Sequence, residues 1–375
     1  MKTHHPRTAL ASFYARGLSL IELLVGMTIG LVLTLGLFTM IASSSQAFKV
    51  QDDFARMQES ATFALRYVGD SVRHAGFFGS LINPGNSSNQ GVSITTDCGS
   101  AGNAPSLGWA IFMRDPLVAF ADVTTATVNG LFPCIASTNF QDGPILVTRL
   151  AMGYRIPDPD NDGNRSDGLA AQPNFNTTIY VQSDPYAAVM FYGADYAGLR
   201  GGGTATKFLP NGRDYDIFQY NTHIYYIRPC SRPAAGTVCT AAADGGQPIP
   251  TLVRQELVGS ALVEVPLVEG VERIDYRYGI DNDQNGIPEQ FLRVPAATDW
   301  PNIVSVKISV LVRSPNMLVE QDDSGKTYDL DGDGTVDFRC TDPAILLLNP
   351  RACNYKRKVF SQIFQLRNIA QRRGA

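Results

Sequence analysis

From Leu18 to Ala42 the only ionisable side chain is Glu22. About 20 apolar residues at ~1.5 Å rise cover the ~30 Å hydrocarbon core of a bilayer, so this run predicts a membrane-spanning helix. Beyond Ala42 the pattern changes without stopping. Val50, Phe54, Met57, Ala61, Ala64, Val68, Val72 and Ala75 recur at steps of four and three, while Asp52, Asp53, Arg56, Glu59, Arg66, Asp70 and Arg73 fall elsewhere around the helix. The pattern predicts one helix of about 55 residues, apolar throughout its first part and amphipathic in its second, running to about His74 and stopping at Gly76. Its stripe suits packing on a sheet; a coiled-coil seam is the other reading.

Residues 79–143 are rich in Gly, Ser, Asn and Thr, with short apolar pieces at Trp109-Ala110-Ile111-Phe112 and Pro116-Leu117-Val118-Ala119-Phe120, and read as a loop-rich insertion. Strand patterns follow at 144–151, 177–182, 187–192 and 217–228. Gly201-Gly202-Gly203 lacks the Lys-Ser/Thr of a phosphate-binding loop and reads as a flexible turn. The last third is the most regular, with strands at 251–257, 262–265, 273–280, 303–313 and 359–367. Val304, Val306, Ile308, Val310 and Val312 alternate there with Ser305, Lys307, Ser309 and Leu311. Short turns between these strands favour an antiparallel sheet. The expected class is α+β: a long N-terminal membrane-spanning helix packed on an antiparallel β-sheet, with a loop-rich, disulfide-stapled insertion. The expected parts are a basic leader (1–17), a transmembrane segment (18–42), an amphipathic half-helix (43–76), the insertion with some strands (77–250) and a C-terminal sheet domain (251–375).

Charge sets the compartment. Lys2, His4, His5, Arg7 and Arg16 precede the apolar run, which places the N-terminus in the cytoplasm and everything after Ala42 on the far side of the membrane. Six cysteines suit that oxidising side: Cys98, Cys134, Cys230, Cys239, Cys340 and Cys353. Six allow fifteen pairings, among which sequence does not choose. Their grouping suggests three local bridges, Cys98 to Cys134, Cys230 to Cys239 and Cys340 to Cys353. The formal charge of −4 becomes −7 if Lys2, Arg7 and Arg16 leave with a leader, which argues against an extended nucleic-acid surface. Arg351, Lys356, Arg357 and Lys358, and Arg367, Arg372 and Arg373 further on, read as solvated clusters.

A carboxylate four residues into an apolar helix costs roughly 2.5–3.5 kcal/mol, so Glu22 needs a partner or the interface. Cleavage between Gly17 and Leu18 would supply one, because the new α-amine of Leu18 is a cation that a carboxylate on a neighbouring helix can neutralise. An ordinary signal anchor with a chance glutamate is the bland alternative. A secretory signal peptide fits worse, since its cleavage site follows its apolar region. The stretch Gly17-Leu18-Ser19-Leu20-Ile21-Glu22 resembles the class III signal sequence of type IV pilins and type II secretion pseudopilins. That resemblance implies cleavage after Gly17 by prepilin peptidase, N-methylation of Leu18, and pairing of Glu22 with the N-terminus of an adjacent subunit.

The C-terminal part adds Val268-Glu269-Gly270-Val271-Glu272-Arg273-Ile274-Asp275-Tyr276-Arg277-Tyr278-Gly279, Trp300, the strand from Val304 to Arg313, and Leu366-Arg367-Asn368. Together these resemble the C-terminal half of PilW-type minor pilins, of which J-type pseudopilins share a shorter version. Residues 80–250 resemble no nameable family. The likeness implies a minor pilin held in inner-membrane lipid before assembly and at the pilus tip afterwards. It further implies a tip or priming complex with other minor pilins and the major pilin, and a PilY-type tip protein as partner. A type II secretion pseudopilin is the first alternative, and a membrane-anchored periplasmic calcium-binding or adhesive protein the second.

Three acidic turns carry candidate metal chemistry: Asp329, Asp331, Asp333 and Asp337; Asp281, Asp283, Asn285 and Glu289; and Asp158, Asp160 and Asp162. Alternating oxygen side chains ahead of a glycine let a tight loop wrap one hard cation such as calcium. The third loop in chain order, with four acids, is the fullest, and 158–162 the sparsest. Asn, Asp and Gly also build such turns without an ion. No cofactor is required by any motif. His74 and His223 are the histidines left after the leader, and neither has a nucleophile signature beside it, so the sequence reads as a structural component without catalysis.

Overall fold

The computed structural model describes residues 19–95, 97–99, 108–159, 165–196, 216–233, 238–318 and 321–368. Gly17, Leu18, the rest of the leader, Asp160, Asp162, the Gly201–Gly203 turn, Arg372 and Arg373 lie outside them. The chain divides into two compact units, one ending at Phe54 and the other starting at Ala55.

Helix α1, Leu20–His74, passes through both. In the first unit its apolar side chains are exposed all round, from Leu20 to Phe48. It is long and apolar enough to cross a membrane by length and composition. Its few hydroxyls are returned to its own carbonyls: Thr28 donates to Val25 O (2.9 Å), Thr34 to Gly30 O (2.9 Å), Thr39 to Gly36 O (2.8 Å) and Ser43 to Met40 O (3.0 Å). That leaves those side-chain donors satisfied without water, as a bilayer core demands.

The second unit holds two sheets. The larger comprises β1 (Ser87–Asn89), β2 (Leu117–Val123), β3 (Gly143–Arg155), β4 (Ile179–Ser183), β5 (Ala188–Tyr192), β6 (Ile217–Arg228), β7 (Thr251–Val258) and β8 (Ala261–Glu269). Its order is β1-β5-β4-β6-β3-β2, and β7 with β8 branches from β6. Strand β6 pairs with β3 along one side, while β4 and β7 share the other. All pairings are antiparallel except β1 with β5. The smaller sheet, β10 (Gln290–Leu292), β9 (Val271–Ile280), β11 (Ile303–Arg313) and β12 (Arg357–Gln365), is antiparallel throughout.

The apolar stripe of α1 settles onto both sheets. Met57, Ala61, Ala64, Leu65, Val68, Val72 and Ala75 share one buried cluster with Leu146, Tyr225 and Leu252 of the larger sheet and Ile274, Val306, Ile308 and Phe364 of the smaller. This is sheet packing in place of a coiled-coil seam. At Gly69 a Cβ would run into the Phe364 ring, so the close approach requires glycine. The helix ends where expected: Gly76 has φ +77° and donates its N–H to Arg149 O (2.9 Å).

The structure departs from the sequence reading in the insertion, at the boundary near residue 250 and at Arg357, which is buried and not part of a solvated cluster. The described residues between 77 and 140 are more than loops, because they form a third layer over the face of the larger sheet opposite α1. Phe78, Trp109, Ile111, Phe132 and Phe140 join Ile145, Val147, Ile224 and Val253 in that core, and Leu117–Val123 becomes an edge strand on β3. The strands after residue 250 continue the sheet formed before it, since β7 pairs with β6. The sulfurs bond as Cys98–Cys134, Cys230–Cys239 and Cys340–Cys353. The first staples the third layer, and the last closes the lobe between β11 and β12.

Candidate functional site

At the start of α1, Ser19 is the N-cap and Glu22 the third helical residue. Ser19 N–H donates to Glu22 Oε2 (3.4 Å) and Glu22 N–H donates to Ser19 Oγ (3.2 Å), a reciprocal capping box. The Ser-x-x-Glu spacing that signals it was present in the sequence but masked by the membrane reading. The carboxylate is thereby held at the positive end of the helix dipole, facing the main chain that leads to Leu18. Gly17 and Leu18 themselves lie outside the described residues.

The acidic turns separate on geometry. In the 329–337 turn, Asp329, Asp331 and Asp333 bring a carboxylate oxygen each within 4.8 Å of the others. Asp329 accepts from Gly332 N–H (2.6 Å) and Gly334 N–H (2.8 Å), and these amides hold it below the usual carboxylate range. The Thr335 hydroxyl and amide do the same for Asp333. The local cation is already a guanidinium: Arg277 Nη2 lies 2.7 Å from Asp331 Oδ2 and 3.1 Å from Asp333 Oδ2. Asp337 stands aside, accepting from Leu330 N–H (2.7 Å), and burial raises it.

In the 281–289 turn, Asp281, Asp283 and Glu289 form the second such group. Asp281 accepts from Asn285 N–H (3.1 Å) and Gly286 N–H (3.0 Å), and Glu289 from Asn282 N–H (3.0 Å). Asn285 turns its amide group onto the Asp283 carboxylate, with Nδ2 at 2.8 Å. The Asn285 main-chain amide pulls Asp283 down, yet the Glu289 and Asp281 carboxylates beside it leave it raised. Among the described residues no lysine or arginine pairs with Asp283 or Glu289. Both turns have geometry that could hold a metal, and the second is the one where a cation would relieve repulsion. Of the acids at 158, 160 and 162 only Asp158 lies among the described residues.

Polar groups that sequence reasoning passed over sit between α1 and the sheets. Ser71, on the buried stripe, bonds His223 Nδ1 (2.8 Å) and the Tyr225 hydroxyl (2.6 Å), which also donates to Tyr67 O (3.3 Å). Burial, then Arg254, pushes His223 down to about 3, so it is neutral. The Ser–His pair has no access for a substrate and works as a clasp between helix and sheet. Beneath the larger sheet Arg149 is buried, donating to Trp109 O (2.9 Å) and Asp115 O (2.5 Å) with its guanidinium over the Trp109 ring. It fastens the third layer to β3. Arg357 lies buried between Glu272 and Asp323.

Two family models match the chain. Residues 13–38 match the prokaryotic N-terminal methylation motif. That match covers the start of the exposed apolar helix that opens on Ser19 and Glu22, and it gives the chain the N-terminal signal of the pilin-like class. Residues 225–368, from the end of β6 through β12, match the Type IV Pilus-assembly protein W, so the two matches together are those of a PilW-family type IV pilin with a cleavage and methylation signal. That family is a structural pilus-assembly family and no enzyme family. No curated protein and no solved structure matches the chain.

Proposed function

We propose that the protein is a minor pilin that joins a tip or priming complex and initiates type IV pilus assembly. The observation that carries this reading is the pairing of the methylation motif at one end with the assembly-protein match at the other. Before assembly α1 anchors the chain once in the inner membrane, with the second unit in the periplasm. Prepilin peptidase cleaves after Gly17 and Leu18 is N-methylated. The exposed apolar residues of α1 then leave lipid for the helices of other minor pilins and the major pilin. Glu22 neutralises a neighbour's terminal amine, where low dielectric makes pairing strong. A layered domain with a third layer on the sheet fits a tip, where bulk is easier to accommodate than in a packed shaft, and a PilY-type protein is the expected partner there.

Deleting and complementing the gene, then counting surface pili and assaying secreted exoproteins in the same cultures, tests this. Lost pili with normal secretion is the expected result. Normal pili with failed secretion would make the protein a type II secretion pseudopilin.

The 281–289 turn favours a second, compatible reading, in which Asp281, Asp283 and Glu289 bind calcium. Titrating the full chain with calcium chloride should raise its unfolding midpoint, and Asp283→Asn with Glu289→Gln should abolish the rise. An equal rise in that double variant removes the site.

A further inference from the structure

Open sheet edges invite unwanted pairing, and proteins blunt them by shortening, bulges, proline or charge. Most edges in the second unit carry such a device. Strands β1 and β10 are three residues long each. Strand β2 shifts register between Phe120 and Val123, and Arg293 donates to Ala121 O (3.4 Å). Strand β8 contains Pro266, and its pairing with β7 shifts register there, between Leu252 and Val253.

Strand β12 is different. Its nine residues pair with β11 from Ser305↔Gln365 to Arg313↔Arg357 without a register shift, and it contains neither proline nor glycine. Among the described residues it pairs with no other strand. Two bonds fix which of its main-chain groups are used: Ser314 N–H donates to Lys356 O (2.8 Å) and Leu366 N–H donates to Val304 O (2.8 Å). Bonded and non-bonded pairs alternate along an antiparallel ladder. Even-numbered residues therefore face β11, and Val359, Ser361, Ile363 and Gln365 turn their N–H and C=O outward. Among the described residues nothing else bonds those outward groups.

We propose that β12 is a docking edge that takes an extended strand from another protein, adding a fifth strand to the smaller sheet. Only an extended main chain offers donors and acceptors at this spacing along a line. The edge also specifies its occupant. From Lys356 to Asn368 there is no acid, and of the four cations Arg357 is buried against Glu272 and Asp323, which leaves Lys356, Lys358 and Arg367 at the edge. Lys358 and Arg367 are exposed at the two ends, Ile363 is 54% exposed between them, and Phe360 is half-buried. The partner strand is therefore acidic at its ends and apolar or small in its middle. A second copy of β12 is a poor match, since it would bring cations to cations. The inference rests on β12 alone and not on the pilus reading, which the pilus count tests separately.

Hydrogen exchange at residue resolution tests it, on tagged full-length protein in detergent alone and on complexes extracted from membranes through the same tag. Alone, the amides of residues 359, 361, 363 and 365 should exchange freely while those of 358, 360, 362 and 364 are slow. In complexes the four outward amides should slow by more than about tenfold. Ser361→Pro removes one outward N–H at a position where an edge strand tolerates proline. It should leave the inward amides slow and abolish the outward protection. Outward amides already slow in the isolated chain, outward amides fast in every complex, protection in complexes containing this chain alone, or protection surviving Ser361→Pro would each overturn the proposal.

Discussion

The buried Arg357 cluster permits a stability prediction with a definite size. The Arg357 side chain is 0% exposed, with Glu272 at 2% and Asp323 at 0%. All five of its N–H donors find acceptors: Nε and Nη2 reach Glu272, Nη1 reaches Asp323 Oδ2 (3.1 Å), and Tyr355 O (3.2 Å) and Ala352 O (2.7 Å) take the remaining two. Arg357→Met removes the guanidinium and keeps much of the volume. Asp323 retains Lys326 at 2.8 Å, but Glu272 keeps only Arg313 at 3.7 Å and becomes an under-compensated buried carboxylate. Breaking such a pair from one side costs about 3–5 kcal/mol, whereas replacing both partners by apolar groups is often near neutral. Arg357→Met should therefore lose about 3–5 kcal/mol, and Arg357→Met with Glu272→Met should recover part of it, the remainder being the cost of leaving buried Arg313 without its carboxylate. Urea unfolding followed by the fluorescence of Trp109 and Trp300 reads both. A single variant within about 1 kcal/mol of the parent, or a double variant as unstable as the single, would refute the reasoning from uncompensated charge.

Three further outcomes follow from other sites. Folded His223 binds its proton only near pH 3 while an ordinary histidine does so near 6.5, so its contribution to stability is complete above 6.5 and is lost as pH falls toward 3; the loss is roughly 5 kcal/mol at most, and His223→Gln should flatten the acid limb of a stability-versus-pH curve. Gly69→Val should force α1 off Phe364 and cost about 1–3 kcal/mol, visible as a lowered urea midpoint, while Phe364→Ala in the same chain should recover part of it. Glu22→Gln keeps a capping acceptor for Ser19 N–H but loses the charge; pilus counts should fall with it as far as with Glu22→Ala if pairing with a neighbour's amine drives assembly, and a normal count would leave Glu22 as a helix cap alone.

What could be read from the sequence was what local order encodes. The length of α1, its stop at Gly76, the alternation of β11 and the three local disulfides all depend on residues near one another along the chain. The third layer was not legible in this way, because Trp109 and Phe132 acquire meaning only beneath β3 and β6. Charges misled for the same reason. Arg149 and Arg357 sit in strands where a charged residue ordinarily marks the solvent face, yet each is turned inward because carbonyls or carboxylates from distant segments surround it. The acidic turns make the point most directly. By composition the 329–337 turn is the fullest cation loop, but β9 delivers Arg277 to it, and the guanidinium already supplies the positive charge that a metal would bring. The 281–289 turn, with fewer acids, keeps its repulsion because no such side chain reaches Asp283 or Glu289 among the described residues. The charge left uncompensated after folding thus differs between the two turns, a quantity set by sheet register and invisible to spacing alone.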